Sequence, residues 1–587
     1  MNFRKLFNIL YDRNLFLFLI ILPAILGLIY IKLFGVNVVF MDQWALVPLI
    51  EKLYTGTLSL SDLFAQHNEH RLFFPRIVML ILAYLTHFNT IAEMYFSWIL
   101  AVITLALIFK MYLSDFGNST YALIKFVPIA WIMFSFRQFE NILWGWQIQI
   151  YLSVLGFVAS IYMLEKSEKI NYNFLIAIFC GIVSTFSFMN GLIVWPVGLT
   201  FIIFSKTKNN RVLTIVWALI GLIVWSLFFY NWTKPSYTPF LSFAEKNPFI
   251  GLTYIITNIG APLAFEQTYA FLFGIVLVIS IAIAILILIM IKNKLVNKNA
   301  KWLSFILFSI MTSLALTIGR SGFGVEQALS SRYVTFTSLG IVGLYLIVMN
   351  LYNKFTKNIK SPKSVILFWM IVSIIFVGII AGYIEGMKIG KNELVSRELM
   401  ASNLIDYKWT DNESLKQMFP SADLVKAYAK ILDRYKLNVF HSISASNGSN
   451  QLYDWNQLKR VQGGIMWIDT INERQYIEES FANIDTEKEQ FVRLRGWAVD
   501  DKAKDGTVKS YLIFENGNDE ITIPTAKTIR PDVAEHFGVE SYIQSGWSGT
   551  IFTKDFKSQC YNISVRIKRT NVKEYYELLG EKPICFV

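Results

Sequence analysis

The feature that most limits what this chain can become is a series of apolar runs on the scale of a bilayer. A hydrocarbon core about 30 Å thick needs roughly 17–25 residues of helix. Candidate runs lie at 14–34, 91–112, 121–137, 147–164, 174–190, 191–204, 212–231, 268–291, 302–319, 333–352 and 364–386. With 54% hydrophobic and 16% charged residues over 587 positions, the chain has more apolar surface than a soluble core hides. The sequence therefore predicts a polytopic α-helical membrane protein with about 11 transmembrane helices. Within 174–204, Met189-Asn190-Gly191 reads as a tight turn between two short helices.

A twelfth run, 72–88, decides the topology. The formal charge of +12 is not spread as a nucleic-acid surface would be. It falls in clusters between apolar runs: Lys166 and Lys169; Lys206, Lys208 and Arg211; Lys292, Lys294, Lys298 and Lys301; Lys354, Lys357, Lys360 and Lys363. Such clusters face the cytoplasm, as do Arg4, Lys5 and Arg13 at the N-terminus. If 72–88 crosses, all four clusters land outside. If it does not, all four land inside, and Lys110 joins them. Segment 72–88 is accordingly expected to lie flat or re-enter, within an external loop from 35 to 90. The alternative is that 72–88 crosses and another short run does not. The further external segments are then 138–146, 189–191, 232–267, 320–332 and everything after 387. No small-residue cleavage site follows the first run, so it reads as an uncleaved span.

The sequence divides into 1–387, a membrane domain; 388–477, an external helical linker with periodicity as in ADLVKAYAKILDRYK; and 478–587, an external all-β, sandwich-like domain of short alternating runs. The cysteines are Cys180, Cys560 and Cys585, which leaves one Cys560–Cys585 bridge open and no disulfide framework.

No Walker sequence or nucleotide-binding glycine loop is present. The chemistry-bearing residues gather in four external groups. Asp42, in FMDQW, is placed as a general base or as an N-cap for a helix at 44–54. HNEHR contributes His67, Glu69, His70 and Arg71, suited to acid–base work, to an anion or to sugar hydroxyls. A divalent cation held by His67, Glu69 and His70 stays open, although the spacing fits no strong metal signature. FRQFENILWGWQIQ supplies Glu140, Asn141, Trp144 and Trp146, either interfacial anchors or a carboxylate beside stacking platforms for sugar rings. GRSGFGVEQALSSRY carries Arg320 and Arg332, whose planar forks match phosphate; the plainer alternative is arginines snorkelling from helix ends. Together these describe glycosyl transfer from a lipid-phosphate sugar: arginine holds the phosphate leaving group and a carboxylate activates the incoming hydroxyl.

This layout resembles the GT-C superfamily of polyprenyl-phosphate-sugar-dependent glycosyltransferases over residues 1–390. The likeness rests on Asp42 soon after the first span, on LFFPRIVMLILAYLTHF as a juxtamembrane helix, and on a span ending in a basic turn from Lys110. The combination of HNEHR, FENILWGWQ and SRY is similar to bacterial members with a β-rich external tail, of which GWAVDD, RPDVAEHFG and SGWSG would be the marks. The resemblance implies Asp42 as catalytic base, Glu140 as a second acidic position, and Arg320 and Arg332 on the carrier phosphate; by residue type HNEHR adds Glu69 as a rival base and Arg71 as a further phosphate ligand. It also implies a polyprenyl-phosphate sugar donor, a surface-glycan acceptor and the bacterial cytoplasmic membrane. Many relatives carry paired acids after the first span; here Gln43 follows Asp42, which puts a metal bridged by such a pair in doubt. A polysaccharide polymerase or a lipid-linked oligosaccharide transporter is the competing expectation. A transporter would want ionisable residues at mid-membrane depth, where these spans are mostly uncharged.

Overall fold

The computed structural model describes residues 13–587 apart from 206–209, 236–247, 291–292, 359–361, 442–454 and short interruptions between 406 and 411 and between 472 and 581. Of the basic residues used to orient the chain, Arg4, Lys5, Lys206, Lys208, Lys292 and Lys360 lie outside the described residues. The chain forms two compact units, Met1–Gly35 with Pro48–Glu393, and Val36–Val47 with Leu394–Val587.

The first unit is helical. Its principal helices are α1 (Arg13–Phe34), α2 (Phe73–Thr86), α3 (Thr90–Phe116), α4 (Thr120–Met133), α5 (Ile148–Glu165), α6 (Tyr172–Thr185) and α7 (Val194–Ser205). They continue with α8 (Asn210–Phe229), α9 (Pro248–Gly260), α10 (Gln267–Met290), α11 (Asn293–Arg320) and α12 (Ser331–Asn358). A last helix, α13 (Pro362–Ile405), runs 44 residues and carries the chain into the second unit.

Among the described residues, 8 helices are long and apolar enough to cross a membrane, and the chain is a membrane protein on that ground. α12 is central, buried over 94% of its apolar stretch, whereas α1, α8 and α10 bury 28% and turn apolar faces outward. The expected spans at 174–190 and 191–204 are shorter helices, α6 and α7, joined by a 3-10 turn at Met189–Ile193. Gly191 makes that turn possible, because a Cβ there would lie 1.9 Å from the Ser184 carbonyl oxygen. At 14 residues α2 is about 21 Å long, short of the roughly 30 Å core. It buries Pro75, Arg76, Met79, Leu80 and Ala83 and exposes Ile81, Tyr84 and Leu85.

Two polar clusters mark opposite ends of α11. At its start, buried Lys301 meets Asp115 at 3.1 Å and Glu165 at 2.5 Å, and the Trp302 indole N–H donates to Asp115 at 2.8 Å. At its finish stands Arg320. The intervening helix rises about 28 Å, close to a hydrocarbon core.

The second unit combines helices with a β-rich region. Its helix α14 (Ala422–Arg434) is capped by the Ser421 hydroxyl, which accepts from the Leu424 N–H, and it buries Ala422, Val425, Ala429 and Leu432 along one face. A five-stranded sheet runs in the order Ala526–Thr528, Gly546–Phe552, Phe491–Val499, Ile465–Ile471, Arg474–Gln475. The first strands arise upstream of 478, since IMWIDTI also alternates, with Met466 and Ile468 inward. A second sheet is built on Cys560–Lys568, which pairs with Glu574–Leu579 and Ile584–Phe586 and, on its other side, with Ser510–Asn516. Val492, Leu494 and Trp547 of the first sheet share one core with Phe514, Val565 and Tyr576 of the second. Cys560 and Cys585, register partners on adjacent strands, are joined by a disulfide.

Candidate functional site

The HNEHR segment folds into a two-residue hairpin, with Gln66 opposite Arg71 and His67 opposite His70. Asn68 takes φ 51° at its tip, a left-handed conformation that Asn tolerates better than most residues. The tip presents Glu69, whose carboxylate is ion-paired with the Arg320 guanidinium and lies 3.6 Å from His70 Nε2. His70 Nδ1 accepts from the Met189 N–H at 3.2 Å, which leaves Nε2 to carry a proton toward Glu69. The ring stacks on Phe188 at 4.0 Å. Burial pushes the Glu69 carboxyl up, but His70 and Arg320 outweigh it and hold the group below its ordinary value.

The same end of the helical unit holds the turn between α4 and α5. Its short helix Phe139–Leu143 carries Glu140, whose Oε2 accepts from the Ser331 hydroxyl at 2.6 Å. Arg332 Nε stands 3.8 Å from Glu140 Oε1. Asn141 is fully buried; its amide N–H2 donates to the Arg332 carbonyl at 3.0 Å and to Thr335 Oγ1 at 2.7 Å, and that hydroxyl donates to Gln138 Oε1 at 2.6 Å. These bonds lock the turn onto the first two turns of α12. Arg137 fixes the neighbouring loop, donating to the carbonyls of Ala264 at 2.7 Å and Leu329 at 2.5 Å with its plane over Phe265.

The structure thus brings Glu69, Glu140, Arg320 and Arg332 to one end of this unit, with the loop 321–330 between the two arginines. Buried Tyr254 of α9 lies within electrostatic reach of both guanidiniums, and its hydroxyl has no hydrogen-bond partner. Three expected roles change. Arg71 is not free for phosphate: its guanidinium donates to the carbonyls of Phe228 at 2.6 Å, Phe64 at 3.1 Å and Tyr230, so it ties the hairpin to the end of α8. Trp144 and Trp146 are 3% and 1% exposed, so neither offers an open face to a sugar; Trp146 packs edge-on against His67 at 5.1 Å. No group of three His, Cys, Asp or Glu side chains fit to hold a metal ion forms among the described residues. Asp42 belongs to the second unit, half-buried in a 3-10 turn, Met41–Leu46, whose Met41 N–H donates to the Met418 carbonyl at 2.7 Å.

Sequence reasoning missed Arg137, Gln138, Ser331, Thr335 and Tyr254. A charged or amide side chain next to a predicted span was the available signal for Arg137 and Gln138; Tyr254 had none, because 232–267 read as loop. Glu93 was also missed. It is 1% exposed at the start of α3, and a Cβ on Gly145 would come within 2.4 Å of its carboxylate, so the turn at 144–147 needs glycine there.

No family model and no solved structure matches the chain. It is 28% identical over 218 residues to an uncharacterized protein of Archaeoglobus fulgidus, an alignment covering 35% of this chain and 54% of that protein. The chain thus spans about half the length of the curated relative it matches.

Proposed function

We propose that the protein is a membrane glycosyltransferase of GT-C type, moving a sugar from a polyprenyl-phosphate donor to a surface glycan on the external face of a cytoplasmic membrane. The observation that carries the reading is the pair of arginines bracketing one short loop, Arg320 and Arg332, each set against a glutamate from a separate polar segment. Guanidinium forks suit a phosphate leaving group. Glu69, kept ionised by its neighbours, orients Arg320, and Asn141 and Ser331 fix the start of α12 beneath Arg332. Arriving phosphate competes with the two carboxylates for the guanidiniums, so the ion pairs hold the site in place until the donor binds.

Two carboxylates are proposed for the base. Glu140 stands beside the arginines and is partly exposed; Asp42 is favoured by the family resemblance. The external placement of the arginine end is supported by the basic clusters and by the 14-residue length of α2, which is short for a membrane span. The test is transfer from radiolabelled polyprenyl-phosphate hexoses to membrane acceptors by purified protein. Glu140→Gln or Asp42→Asn should abolish transfer while donor binding persists, and Arg320→Ala with Arg332→Ala should abolish donor binding. Full transfer by the double arginine variant sinks the proposal.

A further inference from the structure

A cleft of about 560 Å³ lies in the first unit between α1, α4, α12 and α13. Leu19, Val127, Trp131, Tyr345, Ile380 and Tyr383 are among its walls, and every lining side chain is aliphatic or aromatic. The polar atoms of the rings are engaged by backbone carbonyls. The Trp131 indole N–H donates to that of Leu19 at 3.0 Å, the Tyr345 hydroxyl to that of Lys125 at 2.9 Å, and the Tyr383 hydroxyl to that of Phe134 at 3.1 Å. No side-chain donor remains for a polar solute. Phe376, Ile380 and Ile384 follow one face of α13 and are exposed, so the cleft borders apolar surface of the kind a membrane protein turns to lipid.

One end of the cleft is cationic. Half-buried Lys125 follows Ile124 of the wall, and its ammonium lies 4.0 Å from the ring centre of Tyr121 and 5.9 Å from that of Tyr352. It donates to Asn353 Oδ1 at 3.2 Å; none of these neighbours carries a counter-charge. Tyr352 and Asn353 stand about two turns beyond Tyr345 of the wall on α12. Arg13, one turn before Phe16 of the wall, donates to Asn118 Oδ1 at 3.1 Å. Tyrosines beside a lysine at a helix end mark the headgroup level of a bilayer. An ammonium in this setting takes a phosphate as a point charge, whereas the cation of a zwitterionic headgroup would stand against Lys125. The occupant therefore has an apolar chain and an anionic head. That head would lie about 30 Å along α12 from Arg332, too far to be a donor phosphate held there. We propose that this cleft holds an acyl chain of an anionic phospholipid whose phosphate rests on Lys125. The inference does not depend on the reaction proposed for the other end of the unit.

The test uses full-length protein in neutral detergent, with bound lipid counted by native mass spectrometry. Phosphatidylglycerol should bind at least about fivefold more tightly than phosphatidylcholine with the same chains. Lys125→Gln, which keeps a donor for Asn353, should reduce it to the phosphatidylcholine level. Lys110→Gln, on an exposed lysine of α3 outside the cleft, should leave the preference intact. Ile380→Trp, at an exposed wall position, should fill the cleft and weaken both lipids. Phosphatidylglycerol with brominated chains should quench the fluorescence of wild type more than that of Trp131→Phe, which locates the chain. The proposal is overturned if the two lipids bind alike, if Lys125→Gln keeps the preference, if Ile380→Trp binds like wild type, or if bromine quenches both proteins equally. It is also overturned if polyprenyl phosphate binds more tightly than phosphatidylglycerol with the same loss in Lys125→Gln, which would assign the cleft to the sugar carrier.

Discussion

Glu69 and Arg320 stand 251 residues apart in the sequence and form an ion pair at the tip of the hairpin with the two-residue Asn68-Glu69 turn. The hairpin is held from behind by Arg71 on backbone carbonyls and by the Trp232 indole N–H, which donates to the Glu69 carbonyl at 3.2 Å. Rigid backing makes the pair a fixed geometric element rather than a surface contact.

Replacing Glu69 with Gln leaves a mostly buried guanidinium without its counter-charge, at a cost of about 1–3 kcal/mol. In a thermal melt the variant should unfold earlier than wild type, and Arg320→Gln combined with it should recover part of the loss. A double variant as unstable as the sum of the singles would show that the two side chains do not interact.

The pair also sets a pH dependence. Because the folded-state pKa of Glu69 is depressed, its contribution is present above the ordinary carboxylate value of 4.5 and disappears only as the pH falls through the lower folded value. The stability gap between wild type and Glu69→Gln should therefore be constant from neutral pH down to the ordinary value and close in more acidic buffer. A gap that closes near neutral pH contradicts this.

At the other end of α11, Lys301 is 3% exposed between Asp115 and Glu165. Lys301→Met strands two carboxylates and should cost about 3–5 kcal/mol, the penalty of breaking a buried pair from one side. Adding Glu165→Gln should return part of it. An unchanged melting temperature for Lys301→Met would remove the staple.

Tyr254→Phe deletes a buried hydroxyl that has no partner, so stability should change by less than about 1 kcal/mol or improve slightly. If the hydroxyl meets the anion between Arg320 and Arg332, donor affinity should nonetheless fall several-fold. Equal affinity in the two proteins would leave Tyr254 with packing alone.

The helical nature of the first unit was legible because burial in lipid and burial in protein both demand long apolar segments. The break between α6 and α7 at Met189-Asn190-Gly191 was legible as well; what hydropathy did not show is that α6 already stops at Thr185 and α7 starts only at Val194. HNEHR and SRY were singled out from residue type, yet their pairing through Glu69, Arg320, Glu140 and Arg332 needed the fold to close loops of nearly 200 residues or more. Arg71, Trp144 and Trp146 carried the same residue-type signal, yet Arg71 donates to backbone carbonyls and both tryptophans are buried. Composition reports which groups can bind, whereas only the neighbours report whether their donors and faces are already taken.

The bridge between Cys560 and Cys585 has a consequence for the biogenesis of the chain. It joins the strand Cys560–Lys568 to the strand Ile584–Phe586, so it can close only after Cys585 has been synthesised. Thiols kept by a reducing cytosol would leave that strand tied by hydrogen bonds alone. The oxidation state of these two sulfurs is therefore a chemical record of the compartment in which the β-rich tail completed its folding.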